Sequence, residues 1–101
     1  MGLITIKQSG NITVSTDVVK LLSQFTLTDD QLNRIAAADI SIQSNDVLIR
    51  VDGQGSPSGN GMLLKANSIV RLTGRQDVLN CLMIRAAGSD ATVVVDLLRG
   101  E

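Results

Sequence analysis

Apolar and polar residues alternate along most of this chain, and glycine, asparagine, serine and aspartate break the alternation at short intervals. The pattern is sharpest in DVLIRVDGQGSPSGNGMLL, from Asp46 to Leu64. Val47, Ile49 and Val51 share one face, and Leu48 and Arg50 lie between them. That period of two is strand spacing. Asp52-Gly53 opens a break that holds Gly53, Gly55, Gly59 and Gly61 around the only proline, Pro57. Met62, Leu63 and Leu64 then resume an apolar run, so the segment reads as a wide hairpin. Leu3 to Lys7, Asp39 to Gln43, Ser68 to Thr73, Leu79 to Arg85 and Thr92 to Leu98 repeat the strand pattern or are rich in β-branched residues. Ile12 to Ser15 reads as a further strand pairing back on Leu3 to Lys7 across the Ser9-Gly10-Asn11 turn.

Two segments break the period. Val18 and Val19 favour strand, whereas Lys20, Leu21 and Leu22 favour helix, so VVKLLSQF stays open between the two. Thr28-Asp29-Asp30-Gln31 is a helix start: Thr28 can cap, Gln31 completes a capping box, and the aspartates suit a helix N-terminus. Leu32, Ile35 and Ala36 would share a face of one or two helical turns. Gly74 to Asp77 reads as a polar connection. Seven or eight short strands with turn signals every 8–12 residues predict an all-β fold. The expected architecture is one antiparallel β-sandwich or jelly-roll-like barrel over residues 1–101, with 1–10 as an edge strand or N-terminal arm. Strand order is open at this level.

Composition sharpens the surface. Hydrophobic residues make up 44% of the 101, enough for one core, but charged residues only 19%, against about 25% in typical domains. Small domains expose much surface, so the shortfall points to covered surface and a homo-oligomer. A surface rich in Ser, Thr, Asn, Gln and Gly is the alternative. Phe25 is the only aromatic, which disfavours a glycan- or base-stacking module. A net charge of -1 with scattered cations speaks against nucleic-acid binding. No apolar run approaches a membrane span, and MGLITIKQSG lacks the features of a signal peptide. These features predict a soluble chain, intracellular at synthesis.

Candidate chemistry is thin. The loop GQGSPSGNG suggests phosphate binding, but such loops need a following helix N-terminus, and MLLKAN is strand-like. There is no histidine, so serines lack a base and Cys81 lacks an activator. Cys81, within CLMI, reads as a buried small hydrophobe. Asp46 and Asp52 flank a strand and are candidate calcium ligands, but a full ligand set is not visible. No enzyme, cofactor or metal is expected. Arg50, Arg71 and Arg85 lie inside strands, either on a solvated face or against a partner subunit, with Asp96 as a candidate carboxylate partner.

Three segments carry a resemblance: IRVDGQGSPSGNGMLL, SIVRLTG and LMIRAAGSDATVVVDLL. A strand ending in Arg-x-Asp-Gly, a Pro/Ser/Gly loop closing on Asn-Gly, and an Ile-Arg-x-x-Gly-Ser-Asp-Ala hairpin resemble small virion proteins of tailed bacteriophages. The resemblance covers roughly the last half of the chain. It implies a non-catalytic capsid decoration (cement) protein, made in the host cytoplasm and placed on the capsid surface, commonly as a trimer. A tail or head–tail connector component is the alternative, and a small glycan- or ligand-binding sandwich a second one. The implied partners are the major capsid protein or other virion proteins, with no nucleic acid and no membrane. The expected contacts are Leu3, Ile4 and Ile6 as arm anchors, and Arg50, Gln54, Ser56, Pro57, Ser58, Asn60 and Arg85 as secondary ones.

Overall fold

The computed structural model describes residues 2–52, 57 and 61–101. The described residues form an all-β sandwich of two antiparallel sheets with short helical insertions at one end. The strands are β1 (Leu3–Gln8), β2 (Ile12–Val14), β3 (Val19–Lys20), β4 (Ile35–Ser44), β5 (Val47–Arg50), β6 (Met62–Leu64), β7 (Ile69–Thr73), β8 (Leu82–Arg85) and β9 (Ala91–Gly100). One sheet runs β1-β9-β4-β7, with β2 also on β9; the other runs β3-β8-β5-β6.

Alternation becomes two-layer packing directly. In β4 and β9, Ala38, Ile40, Ile42, Ala91, Val93, Val95 and Leu97 point inward and are buried. Val47 and Ile49 of β5 and Met83 of β8 meet them from the facing sheet, each fully buried. Asp39, Ser41 and Gln43 occupy the intervening outward positions of β4. The side-chain period of two makes each strand amphipathic, and the sandwich buries one face of each sheet against the other.

Several sequence expectations change. Ile12–Val14 does not pair back on β1. Both strands lie along the same edge of β9, β1 against Asp96–Gly100 and β2 against Ala91–Val93. Ser9 bridges them: its N–H donates to Val95 O at 2.8 Å, and its hydroxyl accepts from Val95 N at 2.8 Å. The serine side chain thus replaces a ladder carbonyl where the chain kinks.

VVKLLSQF divides between the two readings. Val19 and Lys20 pair with β8, and a 3-10 turn (Leu21–Gln24) follows, buried at Leu21. Arg85 N–H donates to Ser15 O at 3.0 Å, so the strand leaving β2 crosses from one sheet to the other. This crossing forms a corner of the sandwich.

The capping box at Thr28 is present. Thr28 Oγ1 accepts from Gln31 N at 3.1 Å, and Thr28 N donates to Gln31 Oε1 at 3.0 Å. The resulting helix α1 (Asp29–Arg34) ends before Ile35, and Ile35 and Ala36 belong to β4 instead of a helical face. A six-residue helix has little stability of its own, and pairing of Ile35 with Arg99 of β9 claims the next residues. The supposed polar connection after Gly74 is a second helix, α2 (Arg75–Leu79), so Leu79 is not in strand. Gly74 enters it at φ 96°, a left-handed conformation that favours glycine. Val78, fully buried, plugs α2 onto the core.

Candidate interaction surfaces

The N-terminal segment is an integral strand and not a detached arm. Leu3 to Gln8 pairs with β9 over its length, with a register shift between Thr5 and Lys7. Leu3 and Ile4 are exposed, whereas Ile6 is half-buried and packs against the core. Ile6 therefore helps hold the strand down, and only Leu3 and Ile4 present apolar surface.

The apolar surface the sequence left unassigned lies at the other edge. Met62 is 55% exposed and Leu63 50% in β6; Ile69 is 72% exposed in β7. Among the described residues β6 and β7 are terminal strands of their sheets, as are β3 and β1 at the opposite ends, with β6 pairing only with β5 and β7 only with β4. A short turn joins them, with Asn67 at φ 66°, so both edges lie on one side of the sandwich. Gly74 N–H donates to Ala36 O at 3.0 Å. By the alternation of an antiparallel ladder, the main-chain groups of Leu72 and Val70 then face β4, and those of Ile69, Arg71 and Thr73 face outward. Open ladder groups beside exposed apolar side chains are the usual template for strand addition or edge contact.

The strand arginines find carboxylates within the chain. Arg71 forks onto Asp39 across the β4–β7 pair, Nε to Oδ1 at 2.7 Å and Nη2 to Oδ2 at 2.9 Å. Arg50 forks onto Asp52 at 3.2 and 2.5 Å, and Arg85 Nη1 reaches Asp90 Oδ1 at 2.9 Å. None pairs with Asp96, which accepts the Thr5 hydroxyl at 3.3 Å on Oδ2. Asp96 Oδ1 is buried without a partner among the described residues, directly opposite Asp39 in the β4–β9 register. Arg50 and Arg85 thus bring neutralised charges to the surface.

The Arg71 hydrogen bond holds the Asp39 carboxyl below its ordinary 3.8, with burial opposing the shift. The Ala66 N–H, 2.9 Å from Asp46 Oδ1, also lowers Asp46, assisted by Lys65. A depressed carboxyl contributes stability that is present above its unfolded value and lost as pH falls through the folded one. Unfolding free energy should therefore decline below about pH 4. Asp39→Asn should flatten that acid limb in urea titrations between about pH 2 and 5. An unchanged limb would mean that the fork contributes no net stabilisation.

Cys81 is fully buried, and burial, assisted by Asp77, pushes its thiol up to about 12. Since the thiolate is the reactive form, the native protein should not react with a chromogenic disulfide reagent at about pH 8 within minutes, whereas the urea-unfolded chain should react at once. Immediate labelling of native protein would refute this.

Of the other predicted contacts, Pro57 is fully buried and takes no part in the exposed surface. Gln54, Ser56, Ser58 and Asn60 lie outside the described residues. Among the described residues no group of three or more metal-ligating side chains converges, and Asp46 and Asp52 each engage neighbours of their own. No helix of the described residues is long and apolar enough to cross a membrane.

These surfaces belong to an antiparallel β-sandwich with apolar edge strands. Comparison with protein-family models, curated protein sequences and solved structures returns no match to this chain.

Proposed function

We propose that the protein is a non-enzymatic virion structural protein, a capsid decoration protein of a tailed bacteriophage that binds the assembled head and stabilises it. The observation carrying this reading is the apolar rim of Met62, Leu63 and Ile69 on two open sheet edges. Single exposed apolar residues are ordinary; here three stand on two terminal strands joined by a short turn, with Ile69 on the outer face of one sheet and Leu63 on that of the other, where a partner gripping this side of the sandwich would cover them. The low charged fraction of 19% agrees with surface that is covered in the working assembly. The sequence resemblance supplies the partner class, the major capsid protein, and a trimeric arrangement. Binding would need no cofactor, nucleic acid or membrane.

The test is co-sedimentation with purified heads lacking the protein. Wild type should sediment with the heads and raise their disruption temperature. Ile69→Asp, at the most exposed large apolar position, should lose binding by about tenfold or more. Its own thermal midpoint should stay within a few degrees, because surface changes shift stability by only about 0.5 kcal/mol. Wild type that ignores heads but sediments with tails or connectors would replace the decoration reading with the connector one.

A further inference from the structure

The corner where the chain changes sheets carries an open cleft of about 580 Å³ between the 3-10 turn, α1 and α2. Its volume falls in the range of ligand sites, roughly 300–1,000 Å³. The floor is apolar: Leu22, Phe25, Leu27, Leu32 and Leu79 line it, each half-buried. Leu22, Phe25, Leu27 and Leu32 pack against the core from below and leave their other sides open. The only aromatic residue of the chain is thus placed in a cleft wall.

The rim is polar and one-sided in charge. Lys20, Ser23, Gln76 and Asn80 complete the lining, which contains no carboxylate. The Ser23 hydroxyl is committed to Lys20 O at 2.6 Å. The Lys20 ammonium and the Gln76 and Asn80 side-chain amides have no hydrogen-bond or ion-pair partner among the described residues. Here an apolar trough is ringed by donors and a cation that are free among the described residues. The complementary ligand has an aliphatic body and an anionic or acceptor group beside it.

We propose that this cleft is a docking site for a segment of a partner protein that carries a large aliphatic side chain next to a carboxylate. The aliphatic group fills the space between Phe25, Leu27 and Leu32, and the carboxylate meets Lys20 with the amides of Gln76 and Asn80. A protein segment suits the cleft because it is open along the surface and would leave a free aliphatic chain largely in water. The site goes beyond the virion reading and lies at the helical corner, not on the β6–β7 rim. Free peptides probe it directly, so failure at the cleft and failure to bind heads are read separately.

The experiment is a titration of the full chain, followed by amide chemical shifts, with three probes at up to millimolar concentration. These are acetyl-Glu-Leu-Leu-Glu-amide, acetyl-Lys-Leu-Leu-Lys-amide and decanoate. The acidic peptide should shift amides within 20–32 and 76–80 and bind about three- to tenfold tighter than the basic one. Lys20→Glu lies at an exposed rim position and should reverse that order while the rest of the spectrum stays in place. Leu32→Ala should weaken both peptides together. Equal binding of the two peptides, shifts outside the corner, or no shift at millimolar peptide would overturn the proposal. Tighter binding of decanoate at the same amides would also overturn it, in favour of a lipid-chain site.

Discussion

Ile40→Ala should lower the free energy of unfolding by about 2–5 kcal/mol, the range for removing a fully buried Ile from a core that cannot collapse around the gap. Ile40 lies in β4, which pairs on one side with Val95 of β9 and on the other with Val70 of β7. It is fully buried among inward residues of both sheets. Backbone ladders on either side hold β4 at its spacing, so neighbours cannot move in to fill the void, and most of the cavity term remains. A domain of this size has about 5–15 kcal/mol in total. The expected readout is a fall in thermal midpoint of about 10–30 °C and a reduced urea midpoint with unchanged slope. Ile69→Ala removes the same atoms from a site 72% exposed and should move the midpoint by no more than a few degrees. Similar losses at the two positions would mean that the assignment of inward and outward faces in this sheet is wrong.

Gly61→Ala should destabilise by about 1–3 kcal/mol, the range for overpacking a tight site. A Cβ there would sit 2.8 Å from Pro57 Cβ, 2.9 Å from Pro57 O and 3.0 Å from Ile49 O. Two of those atoms are backbone carbonyls that cannot rotate away. Gly61 N also donates to Pro57 O at 2.6 Å, which holds Gly61 against the buried proline. Any shift that relieves the clash must lengthen this bond or lift Pro57 from the core. Gly10→Ala is the control: nothing lies within 4 Å of its added Cβ, and its expected effect is neutral to slightly stabilising through the unfolded chain. Equilibrium urea unfolding of the two variants distinguishes the cases. A neutral Gly61→Ala would show that the contact between Gly61 and Pro57 gives way readily.

The legible parts of the fold are those that local chemistry specifies. Val47 and Ile49 announce a half-buried strand because alternate side chains of an extended backbone lie on one face, whatever pairs beside it. Thr28 and Gln31 announce a helix start because the hydrogen bonds they form reach only three residues along the chain. The helix over Arg75–Leu79 was hidden by its brevity, since five residues with one inward side chain, Val78, show no period. Its only signal was Gly74, a glycine just before a polar stretch. The interaction surfaces were less legible. Ile4, Ile6 and Ile69 look alike as apolar residues in strand-like segments. Their roles diverge because Ile6 turns toward the core, whereas Ile4 and Ile69 lie on the terminal strands at opposite ends of one sheet, 40% and 72% exposed. Pro57, at the tip of a glycine-rich stretch, reads as exposed and is buried.

By itself, then, the sequence determined the all-β class, the shared face of Val47 and Ile49 and the capped turn at Thr28. Each follows from interactions within a few residues or from the two-residue period of an amphipathic strand. Tertiary structure alone decided that β2 joins β9 instead of β1, and that Arg71 closes on Asp39. It likewise left β6 and β7 as open edges and brought Leu22, Phe25, Leu32 and Leu79 to one cleft. These outcomes join residues up to about 80 positions apart (β2 with β9), and burial against a shared core selects among pairings that local pattern leaves equal.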